Sequence, residues 1–226
     1  MLSGRTVLLT LGMALQVGAM HGQATLQTTL TRLDVAAARF SNAQANFHNE
    51  DYTALVRDTS TQDGITYFQR SHGSTEVGIK AIGPGARTVQ YKAGNLKDYN
   101  PGTACYNTVS AQKSRSTIDS FLTLAFGTSG KELAAAWTIS DKGSETLTSD
   151  GKPVKVEKLD LVAKDPGVKN NVSHIELYMD LDRGVSLKLV FYSPSGDKHT
   201  ANYSKIRLNE KSVDVKPFEI LNKPCR

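Results

Sequence analysis

The stretch HIELYMDLDRGVSLKLVFY, residues 174–192, decides the fold. Ile175, Leu177 and Met179 alternate with polar or amphipathic neighbours, and Leu187, Leu189 and Phe191 answer them beyond a turn at Asp182-Arg183-Gly184. A period of two on both sides of a turn predicts an antiparallel hairpin with one buried face. The same alternation continues outward, over Val154–Ala163 and a short run at Trp137–Ser140 before it, over Ala201–Leu208 after it, and into a last strand near Phe218. Every connection is short, which predicts an antiparallel sheet.

The first half reads the same way. Ala45, Phe47, Tyr52 and Val56 sit in an extended stretch, and Asp63-Gly64 is a hairpin signal ahead of Ile65–Arg70. Val77, Ile79 and Ala81 alternate up to Gly83-Pro84-Gly85, and Val89 and Tyr91 continue the meander to a turn at Ala93-Gly94-Asn95. Two places break this period. Leu26, Leu30, Leu33, Ala37 and Phe40 recur at helical spacing and predict an amphipathic first helix. Mid-chain, Ser116 with Asp119 has capping-box spacing before a stripe of Ile118, Phe121, Leu122, Ala125 and Phe126 that ends at Gly127. Ser129 with Glu132 repeats the cap before Leu133–Ala136. The expectation is one α+β domain with two short helices inserted between β-hairpins.

Composition bounds the function. The 226 residues carry 27 Lys+Arg against 22 Asp+Glu, a net +5, with 39% hydrophobic and 22% charged residues. Neither a disordered chain nor a multi-span membrane protein has that balance. The basic residues are spread along the chain with no Lys/Arg run interleaved with aromatics, which argues against nucleic acid. Arg5, an apolar run from Thr6 to Met20 and small residues at Ala19, Gly22 and Ala24 read as a signal peptide, residues 1–24, with Ala19 as the second cleavage choice. The exported domain is then 25–226. With no cysteine near either cleavage site, it is expected to be soluble rather than lipid-anchored. Export makes Cys105 and Cys225 candidates for a disulfide tying the C-terminus to mid-chain, two unrelated thiols being the alternative.

Catalytic patterns are missing. The sequence holds no G-x-S-x-G, H-E-x-x-H or G-x-x-x-x-G-K-[ST], and Gly83-x-Gly85 lacks the third glycine of a dinucleotide loop. His48, His72, His174 and His199 have no second ligand or base at useful spacing. Asp180, Asp182 and Gly184 resemble a calcium loop, but Phe191 stands where the closing Glu belongs. No enzyme, metal or cofactor is expected.

The signal peptide, the first helix, ARFSNAQANF (Ala38–Phe47), the meander, Tyr99-Asn100-Pro101, the mid-chain helices, IELYMDLDRG (Ile175–Gly184) and YSKIRLN (Tyr203–Asn209) follow one another in an order that resembles the periplasmic outer-membrane lipoprotein carrier (LolA-like) family, as a divergent member. The resemblance implies a strongly curved antiparallel sheet, an incomplete β-barrel, whose concave apolar face is covered by the N-terminal and mid-chain helices. It also implies a periplasmic monomer that binds lipoprotein or lipid acyl chains, with an inner-membrane ABC-type release complex and an outer-membrane acceptor as partners. The residues chosen for the cavity and lid are Leu30, Leu33, Phe40, Phe47, Ile118, Phe121, Leu122 and Phe126. The family's lid-tethering arginine falls on Arg70, although Ser71-His72-Gly73 replaces the Arg-Pro and aromatics that usually surround it. A lipid- or stress-sensing interaction module of the same fold is the alternative.

Overall fold

Among the described residues, the alternation around the 174–192 hairpin extends into one sheet of 12 strands. The computed structural model describes residues 18–71, 74–110 and 121–225. The strands are β1 (Asn42–Thr53), β2 (Asp58–Ser71), β3 (Ser74–Ile82), β4 (Arg87–Lys92), β5 (Asn95–Asn100), β6 (Cys105–Ser110), β7 (Trp137–Ser149), β8 (Lys152–Ala163), β9 (His174–Asp180), β10 (Val185–Tyr192), β11 (Lys198–Leu208) and β12 (Lys223–Pro224). Helices α1 (Gly18–Arg39), α2 (Gly130–Ala136) and the single turn α3 (Pro166–Lys169) join them, with a 3-10 turn at Lys216–Phe218.

The strand order is β12-β6-β5-β4-β3-β2-β1-β11-β10-β9-β8-β7. Two meanders, β1–β6 and β7–β11, meet where β1 pairs with β11, Phe47 opposite Tyr203. The sheet is curved and unclosed, as the resemblance implied, with β7 and β12 at its edges.

Register builds the inner face. Phe68 stands opposite Val77, Leu159 opposite Leu177, and Leu177 opposite Leu189. These side chains share one core with Leu33 of α1, Leu124, Phe126 and Leu133. α1 turns Thr29, Leu33, Ala36 and Ala37 inward. α2 begins on a full capping box: the Ser129 hydroxyl accepts from the Glu132 amide (3.1 Å) while the Glu132 carboxylate accepts from the Ser129 amide (2.9 Å). Gly130 lets the two helices touch, since a Cβ there would fall 2.2 Å from the Leu30 carbonyl oxygen. The 182–184 turn holds α1 from the other side, through Arg32–Asp182 (2.6 Å) and through Gly184 against Ala36.

The outer face is crossed by the tail. After β11, residues 209–225 pass over β1–β4 and end beside β6, where Cys105 and Cys225 form the disulfide with Cα atoms 5.0 Å apart. Phe218 is buried edge-on against Tyr67, at 4.8 Å between ring centroids. Gly78 leaves the room for both rings, because a Cβ there would meet Tyr67 at 2.2 Å.

Four expectations change. Asp63-Gly64 is not a turn but the middle of β2; the hairpin turns at 54–57, and Gly64 is there because the Phe47 ring lies over it. The strand expected near Phe218 is a 3-10 turn, whose Pro217 cannot donate to a ladder. The sheet is not wholly antiparallel, for β12 pairs parallel to β6 after its long crossing. The helical stripe expected from Ile118 to Phe126 does not run to its end; Ile118 and the Ser116–Asp119 cap lie outside the described residues. Phe121 and Leu122 are helical, but Phe126 has become a β-bridge to Val185.

Candidate functional site

Between the inner face and segment 121–127 lies a cavity of about 210 Å³. Its floor is Phe47 of β1, Thr66 and Phe68 of β2, Val77 and Ile79 of β3, and Leu189, Ala201 and Tyr203 of β10–β11. Phe121, Leu122, Ala125 and Phe126 form its roof. Alternation explains why one face supplies the floor, as every second residue of each strand points to it. The sheet side is apolar apart from Asn49, Thr66, His199 and the Tyr203 phenol, which burial pushes up to about 12 and keeps neutral.

The roof is held to the sheet by both polar and aromatic contacts. The Ser186 amide donates to the Ala125 carbonyl (2.8 Å), and Phe126 bridges Val185. Phe126 stands edge-on to Tyr203 (5.1 Å) and Phe121 edge-on to Trp137 (5.3 Å), with Phe191 at 6.3 Å. Arg70, at the end of β2, adds the polar tie. Its Nη2 donates to the Gly127 carbonyl (2.7 Å) and approaches Glu132 Oε2 at 3.3 Å. Its guanidinium also lies 5.8 Å from the Phe40 ring centroid. One arginine thus joins the sheet, the end of the roof and the capping box of α2.

At one end, the cavity shares Phe191 and His199 with a second hollow of about 290 Å³. That hollow is mixed, with Asp51, Asn171, Asp197 and Lys198 beside Tyr52, Val172 and Tyr192. His199 Nδ1 lies 2.5 Å from Asp51 Oδ1 at the junction. The two hollows thus adjoin where β1 and β10 end and β11 begins. A larger hollow, about 520 Å³, lies on the outer face beneath the tail. Its floor is internally bonded: Arg207 donates to Gln44 (2.7 Å), and Gln44 donates to the Asp214 carbonyl (3.3 Å).

Of the residues chosen from the sequence, Phe47, Phe121, Leu122 and Phe126 meet at the inner cavity. Leu33, Leu30 and Phe40 do not line it. Leu33 is fully buried in the core, Leu30 sets its backbone against Gly130, and Phe40 follows the end of α1 to pack on Phe68 (5.5 Å). Ile118 is outside the described residues. The sequence reading missed Tyr203, Phe191 and the His199–Asp51 pair, whose members are 148 residues apart and joined only by the β1–β11 register. His48 has a partner as well, Asp63 at 2.8 Å across β1–β2. Asp180 accepts from the Asp182 and Arg183 amides (3.1 and 3.2 Å), so its carboxylate serves the turn, while that of Asp182 pairs with Arg32. Among the described residues, no group of three or more His, Cys, Asp or Glu could hold a metal ion.

No protein-family model and no curated protein matches the sequence. Solved structures do match. MucB aligns at a TM-score of 0.54 and 16% identity, covering 88% of this chain and 64% of MucB. The Pseudomonas aeruginosa MucA/MucB complex matches at 0.52 and 16%, covering 84% and 59%. An uncharacterized conserved protein from Thermus thermophilus matches at 0.52 and 12%, covering 86% and 92%. The chain spans about three fifths of the length of the MucB chains it matches. At these identities the likeness is one of fold.

Proposed function

We propose that this chain, LolA-like in fold, carries acyl chains of lipoproteins or lipids in its inner cavity, across a bacterial periplasm. One observation carries the reading: an apolar chamber lies between the sheet and a separate segment that roofs it, with Arg70 reaching from β2 to the end of that roof. At about 210 Å³ the chamber is smaller than the ~300–1,000 Å³ of ordinary ligand pockets, so cargo enters as the roof lifts. Each buried CH₂ contributes ~0.8 kcal/mol, so one acyl chain outweighs the roof's aromatic contacts. Release draws on the same contacts in reverse, and Arg70 is the latch that sets the balance.

In this reading residues 1–24 are the signal peptide and 25–226 the exported carrier domain, working as a monomer without catalysis. Among the described residues no helix is long and apolar enough to cross a membrane. An inner-membrane ABC-type complex would load the carrier and an outer-membrane acceptor would unload it. A second reading, a module that senses lipid or envelope protein through a bound partner, draws support from MucB, solved together with MucA.

Substituting the roof tests the first reading. Phe121→Glu is expected to abolish uptake of a fluorescent fatty-acyl probe while the circular dichroism stays native. Undiminished uptake by the variant removes the roof assignment. A wild-type protein that takes up no probe leaves the partner-binding reading in its place.

A further inference from the structure

Four polar side chains, Asn49, Thr66, His199 and Tyr203, line the sheet side of the inner chamber, and one of them is spent within the protein. The Thr66 hydroxyl donates to the Gly78 carbonyl (2.9 Å). The other three keep bonding capacity in hand. Among the described residues nothing bonds to the Tyr203 hydroxyl or to the Asn49 side-chain amide. His199 bonds through Nδ1 to Asp51, and its Nε2 is left over. Elsewhere in the sheet tyrosines are treated differently: the Tyr178 and Tyr192 hydroxyls both donate to Glu176 (3.1 Å). An open hydroxyl on an otherwise hydrocarbon wall asks for a partner.

Register sets the three in a row. β1 and β11 pair Phe47 with Tyr203, Asn49 with Ala201 and Asp51 with His199. Residues two apart on a strand share a face about 6.8 Å apart, so the polar row runs roughly 14 Å along one wall. Beyond this row and Thr66, the lining is aliphatic or aromatic.

The same lining says which charge a ligand can bring. No Lys, Arg, Asp or Glu borders the chamber, and the imidazole of His199 already has Asp51 to answer it. An anionic head would meet no free cation there, and a charge without a partner is costly away from water. The donors and acceptors on offer suit an uncharged head instead. Tyr203 keeps its proton and donates. Asn49 donates through its NH₂. With Asp51 accepting from Nδ1, the neutral His199 ring presents Nε2 as an acceptor.

We infer that Asn49, His199 and Tyr203 form a head-group subsite that selects acyl chains ending in an uncharged ester or amide over free fatty acids. The carbonyl of that head takes hydrogen bonds from Tyr203 and Asn49, and a neighbouring hydroxyl or amide N–H donates to His199 Nε2. Two sources present this chemistry, an acylglycerol and an amide-linked acyl group on a protein. The inference rests on the carrier reading and narrows its cargo.

The test is competition at neutral pH against the fluorescent fatty-acyl probe, using protein purified from a periplasm. Three unlabelled ligands of equal chain length compete: a fatty acid, its monoacylglycerol and a peptide amide carrying it as an N-acyl group. For wild type, the better of the two uncharged ligands is expected to displace the probe at about tenfold lower concentration than the fatty acid, and it identifies the source. The double variant Asn49→Ala, Tyr203→Phe should cut that advantage to about twofold, with native circular dichroism. A fatty acid that competes as well as both uncharged ligands overturns the inference, and so does an advantage that survives the double variant. In either case probe uptake by wild type still supports the carrier. A wild type that takes up no probe removes the carrier reading and the subsite with it.

Discussion

One sheet carries two covers, and they are fastened by opposite means. Over the inner face, the ties of segment 121–127 are noncovalent and include a backbone bond to Ser186, a bridge at Phe126, edge-on rings and the reach of Arg70. Over the outer face, residues 209–225 are tied by a disulfide, by Phe218 buried against Tyr67, and by Asn42 and Gln44 bonding to Glu210 and Asp214. The inner cover encloses an apolar chamber. In the proposed carrier that difference matches use: a cover that opens needs contacts comparable to those its ligand offers, and a brace needs contacts that nothing displaces.

The sharpest way to break that contrast is to cut the brace. Cys105→Ser with Cys225→Ser frees a loop spanning 120 residues and should lower stability by about 4–5 kcal/mol in the chain-entropy view, read by urea denaturation. Acyl-probe affinity should stay within about twofold at temperatures where the variant remains folded. A matching loss of affinity would mean that the two covers are not independent.

A smaller effect concerns charge on the outer face. Burial favours a neutral Glu176, but Lys158 at 2.8 Å and the hydroxyls of Tyr178 and Tyr192 (both 3.1 Å) outweigh it and hold the carboxyl below its ordinary 4.5. A carboxylate depressed in the folded state contributes stability above its unfolded pKa and loses it as pH falls through the folded value. Stability should therefore decline below about pH 4.5. Glu176→Gln should cost about 1–2 kcal/mol at neutral pH and flatten that acid limb, with probe uptake unmoved.

The smallest effect is on the inner cover. Arg70→Leu should cost about 1 kcal/mol of roof closure and speed probe release roughly five- to tenfold, measured by stopped-flow fluorescence. An unchanged release rate removes the latch role.

Legibility in the sequence followed the range of the interactions. The 174–192 hairpin, the Ser129–Glu132 cap and the strand breaks at Gly83-Pro84-Gly85 and Ala93-Gly94 are local chemistry and could be read directly. Phe121, Leu122 and Phe126 stood out through spacing alone. Asp63-Gly64 misled because a glycine that makes room for Phe47 looks the same in sequence as one that makes a turn. Leu30 and Phe40 kept the helical period, yet Gly130 and the end of α1 at Arg39 redirected them. The tail's path, the His199–Asp51 pair and Tyr203 depend on β1 meeting β11, a register set by the whole sheet rather than by any segment.

The most direct test of the account is native mass spectrometry, with lipid extraction, of the chain purified from a periplasm. The account predicts co-purifying lipoprotein or acylated lipid, lost when Phe121 is replaced by Glu. An empty protein that also fails to take up a fatty-acyl probe would contradict it, leaving the inner chamber as a packing defect of a partner-binding fold.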